Sequence, residues 1–221
     1  MTKKIAGVLL DFDEVVVDSL KAHLSAWKAA YENLFYKSLN QQEVMKMSGK
    51  SANTISLALA QYAQKPLLAD DLLKEKKRIL NQNIKYIELM PGAREFISHL
   101  NSIQFPYGIV SNANRIFIQE VLSHLSIQVP FFFGYEDYSK PKPHPQPYLK
   151  GAEKLGFSFS DYQSIAVLED SLHGLKAATD AFMYTVGIAS QHSEEALASA
   201  GAKLTFPHIK AMNESGLLSY R

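Results

Sequence analysis

Six short runs of apolar or β-branched residues recur along this chain, and all but the last lack a strict alternation with polar residues. They cover residues 5–10, 106–110, 130–133, 165–168, 184–188 and 202–206, the last being the weakest. A strand with one face in water alternates, whereas a strand covered on both faces reads as a continuous apolar run. Uniform runs separated by helix-period segments therefore predict buried parallel strands in a doubly wound α/β sheet, a Rossmann-like core. Crossover helices are expected over 93–100, after Pro91 and Gly92, and over 115–125, 147–155 and 172–181. The triple phenylalanine at 131–133 reads as core strand.

One stretch breaks this rhythm. From 17 to 89 there is no strand-like run, only helical periodicity. Leu20, Leu24, Trp27, Tyr31, Leu34 and Phe35 fall three and four apart and form one apolar stripe. Further helices are expected over 41–47, 51–63 and 69–89. A helical cap at 17–89 is thus inserted into an α/β core made of 1–16 and 90–221. An insertion directly after strand one hangs over the carboxyl ends of the strands, where open α/β sheets bind ligands.

Composition narrows the function classes. The 221 residues include no cysteine, which excludes a disulfide framework, a thiolate zinc site, an iron–sulfur cluster and a cysteine nucleophile. Twenty-three Lys and Arg stand against 22 Asp and Glu, with no basic block interleaved with aromatics, so no nucleic-acid partner is expected. No apolar stretch approaches the ~20 residues of a membrane span, and 5–10 is too short for the apolar region of a secretory signal. The expectation is a cytoplasmic protein without membrane contact, a monomer or weak homodimer.

Polar residues close the strand-like runs. The first ends in Asp11, Phe12 and Asp13, the second in Ser111 and Asn112, and the fourth in Glu169 and Asp170. A proline-rich loop carries Lys140 and Lys142 between the third and fourth. In a parallel sheet these ends share one edge, so carboxylate, hydroxyl and amide groups converge there. That combination suits phosphoryl transfer. Of two carboxylates one residue apart, one attacks phosphorus and the other moves a proton. A phosphate dianion needs charge compensation, which a hard cation on Asp11 and Asp170 supplies; all-oxygen ligands point to Mg2+. Lys142 adds a point charge. Ser111, Asn112 and the amides opening the helix beyond Ala113 would cradle the phosphate.

Asp11-Phe-Asp-Glu-Val15, then Ser111 and Asn112, Lys142, and Glu169 with Asp170, resemble the four ordered motifs of the haloacid dehalogenase-like hydrolase superfamily. The match runs over nearly the whole chain. Asp18 and Ser19, with His23, Ala26 and Trp27, are similar to the start of the helical cap in its β-phosphoglucomutase-like branch. So are Pro91 with Gly92, the segment from Lys142 through Pro145 with Tyr148 and Leu149, and Glu169-Asp-Ser-Leu-His-Gly174. The resemblance implies that Asp11 forms an aspartyl-phosphate, that Asp13 is the general acid/base, and that the Asp13 carbonyl touches Mg2+. It implies phosphate binding by Ser111, Asn112 and Lys142, and metal binding by Asp170 with Glu169, direct or through water. His23 and Lys50 are the cap residues expected to meet substrate, Lys50 from the polar loop 48–53, which also holds Gly49.

Two departures stand out. Most relatives carry Gly after the second Asp, where this chain has Glu14, and the loop after the lysine usually ends Pro-Asp where this chain has Pro145 and Gln146. Glu14 restricts a turn that Gly enters freely, and Gln146 is expected to loosen the loop holding Lys142. The bland readings remain beside the sharp ones. Asp11 and Asp13 also suit a strand-end turn, Ser111 and Asn112 a helix cap, Glu169 a loop brace, and His23 a packed core histidine. Lys74, Lys76, Lys77 and Arg78 read as a solvated helix face. The expected activity is magnesium-dependent hydrolysis of a small phosphorylated metabolite, a sugar or polyol phosphate. A phosphomutase, a dehalogenase and a non-catalytic binding module are the alternatives.

Overall fold

The computed structural model of the protein describes residues 4–47 and 50–216. The chain opens with β1 (Gly7–Leu10) and a short β2 (Val17–Asp18), followed by α1 (Leu20–Phe35), α2 (Gln41–Met45), α3 (Ala52–Tyr62) and α4 (Ala69–Gln82). It returns through β3 (Glu88–Leu89) to α5 (Ala93–Ser102), β4 (Tyr107–Val110), α6 (Arg115–His124) and β5 (Phe132–Phe133). Then come α7 (Gln146–Lys154), β6 (Ile165–Glu169), α8 (Leu172–Asp180) and β7 (Tyr184–Ile188), and last α9 (Glu194–Ser199), β8 (Leu204–Phe206) and α10 (Ile209–Glu214).

Six strands form one parallel sheet in the order β5-β4-β1-β6-β7-β8. The chain winds outward from β1 through β4 to β5, then crosses back and winds outward through β6 to β8. The strand order therefore reverses around β1, the place where doubly wound sheets hold ligands. Every residue of β1, β4 and β6 is buried, which is why their sequences show no alternation. Leu9, Val110, Ile165 and Val167 pack with Tyr148, Ala152, Ala177 and Ala178 in the core. The phenylalanines at 131–133 do not lie fully inside: all three are only partly buried, because β5 is the edge strand.

The described residues divide into two compact units, one reaching Asp18 and resuming at Glu88, the other spanning Ser19–Ile87. In the helical unit α1 buries Ala26, Trp27, Ala30, Tyr31 and Phe35, one stripe at helical spacing. Ser51 caps α3 by accepting from the Thr54 amide. Asp70 and Asp71 sit in the first turn of α4, where the helix dipole favours negative charge.

Two expectations about this stretch fail. The helix expected over 69–89 stops at Gln82, followed by a 3₁₀ turn at Ile84–Tyr86. The chain then extends, and Leu89 pairs with Val17 and Glu88 with Asp18 in an antiparallel ladder, at the two connections where hinge strands near 15–17 and 89–90 are expected. Lys76 is not on a solvated face. It is 4% exposed, packed with Trp27 and hydrogen-bonded to His23, whereas Lys74, Lys77 and Arg78 are exposed.

Candidate active site at the carboxyl edge of the sheet

Parallel pairing of β4, β1 and β6 brings Ser111, Asp11, Glu169 and Asp170 to one edge. The Asp11 amide donates to Leu168 O at 3.0 Å, carrying the ladder one residue past β1 and fixing where its side chain begins. Ligand oxygens of Asp11, Glu169 and Asp170 all lie within 4.8 Å of one another.

Lys142 reaches this cluster from the proline-rich loop and is 5% exposed. Its ammonium donates to Asp11 Oδ1 at 2.9 Å, to Glu169 Oε1 at 2.6 Å and to the Val110 carbonyl at 2.8 Å. Lys140, its sequence neighbour in the same loop, is exposed. The loop is tied down on both sides. Asn112 Oδ1 accepts from the Lys142 amide, and Asn112 Nδ2 donates to the Lys142 carbonyl, both at 3.1 Å. Gln146 Oε1 accepts from the Lys140 amide at 2.8 Å and from Ser139 Oγ at 3.2 Å. Gln146 therefore closes the loop that its departure from Asp was expected to loosen.

Burial decides the electrostatics. Desolvation, then repulsion from Glu169, lifts the Asp11 carboxyl to about 7 against the pull of Lys142, with Asp13 adding to the rise. Asp170 is pushed well above the ordinary carboxylate range by burial, then by Glu169, Asp11, Glu14 and Asp13. Desolvation pulls Lys142 down, but attraction to Asp11 and Glu169 outweighs it, so its ammonium is held above the ordinary lysine value. Ionised together, three buried carboxylates would exceed the charge of one buried lysine, and after burial it is this excess that raises Asp11 and Asp170. All-oxygen donors, close spacing and that excess fit a hard divalent cation.

The remaining expected site residues are distributed as follows. Asp13 is partly buried and bridges to Val17. Ser111 is buried, and its Oγ accepts from the Ala113 amide at 3.0 Å. The amides opening α6 are otherwise engaged than a phosphate cradle requires. Asn114 Oδ1 accepts from Ile116 and Phe117, and Glu136 accepts from Arg115. His23 and Lys50 belong to the helical unit. His23 Nδ1 lies 2.9 Å from Lys76 Nζ, Lys50 is exposed, and Ser48 and Gly49 lie outside the described residues. Glu14 sits at φ 60, in the left-handed region that glycine enters without strain.

Sequence reasoning gave no role to three residues that organise the edge. The Tyr138 hydroxyl donates to the Ser111 carbonyl. The Tyr148 hydroxyl donates to Glu169 Oε1 at 2.5 Å, and Ser171 donates to Glu169 Oε2 through both Oγ and the amide. The only sequence signal for the last two was their place in the motifs around Lys142 and Glu169.

The family model of haloacid dehalogenase-like hydrolases matches residues 8–188. The chain belongs to this family. Among its curated relatives, glycerol-1-phosphate phosphohydrolase 2 of Saccharomyces cerevisiae is 25% identical over 223 residues, covering 98% of this chain and 87% of that protein. The bifunctional riboflavin kinase/FMN phosphatase of Arabidopsis thaliana is 25% identical over 187 residues; these cover 83% of this chain but only 46% of that longer protein. The solved β-phosphoglucomutase of Clostridium difficile superposes with a TM-score of 0.80 at 20% identity, covering 97% of each chain, which shows the shared fold. At the level of the family this haloacid dehalogenase-like hydrolase is an enzyme of phosphoester hydrolysis. No helix among its described residues is long and apolar enough to cross a membrane.

Proposed function

We propose that the protein hydrolyses small phosphomonoesters, of the sugar or polyol phosphate class, with Mg2+ and through an aspartyl-phosphate on Asp11. The observation that carries this reading is the buried contact of Lys142 with Asp11 beside Glu169 and Asp170. The polyol class draws on the relative named for glycerol 1-phosphate.

Asp11 attacks phosphorus while Asp13 gives its proton to the departing alcohol oxygen, so the P–O bond to the substrate breaks as the Asp11–phosphorus bond forms. Asp13, now a carboxylate, takes a proton from water. The hydroxide attacks phosphorus, and phosphate leaves with Asp11 restored. Lys142 neutralises charge on the phosphoryl oxygens, and Ser111 lies at the same edge to bind them. Asp11, Asp170 and the Asp13 carbonyl would hold Mg2+, which shields the nucleophile from the dianion it attacks. Asn112 serves phosphate binding by holding the Lys142 loop, and His23 and Lys50 of the helical unit select the substrate.

A panel of phosphorylated metabolites assayed for phosphate release with Mg2+ tests the reading. Release from several small phosphomonoesters is expected. β-Glucose 1-phosphate, given with a trace of its 1,6-bisphosphate, serves as the control. Glucose 6-phosphate formed well ahead of free phosphate would replace hydrolysis with mutase chemistry.

A further inference from the structure

The Glu169 carboxylate is wholly buried and carries four hydrogen bonds. Oε1 accepts from Lys142 Nζ at 2.6 Å and from the Tyr148 hydroxyl at 2.5 Å. Oε2 accepts from Ser171 Oγ at 3.0 Å and from the Ser171 amide at 3.2 Å. An ionised carboxylate offers about four acceptor sites, so these donors use its capacity. A cation bound to Glu169 would have to displace one of them. Its neighbour Asp170 differs: among the described residues no hydrogen-bond donor reaches that carboxylate. Lys142 likewise takes only Oδ1 of Asp11.

Tyr148 touches both members of the buried pair. Its hydroxyl holds Glu169, and its ring lies under the Lys142 ammonium, 4.6 Å from Nζ to the ring centre. A lysine ammonium is a point charge on a flexible stem with three donors. Here all three have acceptors, in Asp11, Glu169 and the Val110 carbonyl. The ammonium therefore has one orientation, and Glu169 with Tyr148 sets it.

We propose that Glu169 and Tyr148 are positioning residues for Lys142, and that Glu169 stays outside the coordination sphere of Mg2+. The proposal rests on the phosphatase reading above. It accords with the habit of Mg2+ of taking one or two carboxylates and keeping several waters.

The first test is Tyr148→Phe in the full chain, which keeps the ring over Nζ and removes the hydroxyl. Turnover of para-nitrophenyl phosphate at saturating Mg2+ is expected to fall about tenfold in kcat, since Lys142 acts on charge that develops at the transition state. The Mg2+ dissociation constant, measured by calorimetry without substrate, is expected to stay within about twofold, because the lost hydroxyl bonds Glu169 and neither Asp11 nor Asp170. An unchanged kcat would overturn the positioning role. A Mg2+ affinity changed about tenfold in either direction would return Glu169 to the metal site. The second test needs no variant: in a crystal structure of the Mg2+-loaded protein both Glu169 oxygens are expected beyond about 3 Å from the ion, and a bond of about 2.1 Å sinks the proposal. If the wild type releases phosphate from nothing in the panel, the phosphatase reading falls. The calorimetry and the crystal structure still decide where Glu169 stands.

Discussion

Gly174 and Glu169 occupy one another's space: a Cβ added at 174 would fall 1.8 Å from Glu169 Oε1. Gly174 lies in the first turn of α8, and its amide donates to the capping Ser171 hydroxyl that also bonds Glu169. Alanine is the better helix former by ~1 kcal/mol, yet here it must push the carboxylate that anchors Lys142. Gly174→Ala is therefore expected to destabilise the protein by about 1–3 kcal/mol, the range for overpacking, and to lower turnover with it. Denaturant unfolding measures the first effect; a variant more stable than wild type would contradict the packing.

Asp11→Asn is expected to abolish turnover, since an amide is a poor nucleophile and a weaker metal ligand. A variant keeping more than about a tenth of the wild-type rate would exclude Asp11 as the nucleophile. Asp13→Asn loses the proton carrier but not the attacking group, and general acid/base catalysis contributes ~10²–10⁴-fold. Its rate is expected to fall within that range while Mg2+ still binds.

Metal removal has a pH signature. Asp11 is held up to about 7, first by burial and then by Glu169, so in the folded, metal-free protein it prefers its proton. A carboxyl raised on folding contributes stability that is fully present below its unfolded value and lost as pH rises through about 7. In EDTA the protein is expected to be less stable at pH 8 than at pH 5, and Asp11→Asn to reduce that difference. Added Mg2+ should restore most of the stability at pH 8, because cation and proton compete for the same carboxylates. Denaturant midpoints at the two pH values measure this, and equal midpoints in EDTA would remove the Asp11 contribution.

Asp170→Asn is expected to weaken Mg2+ binding at least about tenfold, by removing a charged oxygen ligand from a hard-cation site. Calorimetric titration reads this directly. An unchanged dissociation constant would move the metal to other carboxylates.

Glu14→Gly addresses the one departure that the backbone registers. A non-glycine residue in the left-handed region costs about 1–2 kcal/mol, and Glu14 sits there at φ 60. Its charge also lifts Asp170. The substitution is expected to raise stability by about 1 kcal/mol at neutral pH. A loss of stability would mean that buried Glu14 contacts outweigh the strain.

The central strands were legible in the sequence, because a strand covered on both faces must be apolar throughout, and β1, β4 and β6 are buried at every residue. The sequence also determined which residues could meet, since parallel strands put Asp11, Ser111, Glu169 and Asp170 at a common edge whatever the details. What it could not hold was any relationship made by tertiary contact. Residues 88–89 run extended in a ladder with Val17 and Asp18, some seventy residues earlier, where periodicity alone continued a helix. Lys76 looked solvated until Trp27 and His23 covered it. The same is true of the site. Lys142 and Asp11 are 131 residues apart in the chain, and only the folded loop, held by Asn112 and Gln146, separates a buried Lys142 from an exposed Lys140. Whether a carboxylate such as Glu169 faces a metal or spends its oxygens on Lys142, Tyr148 and Ser171 depends on donors brought from other elements, and composition and spacing do not encode where those donors point.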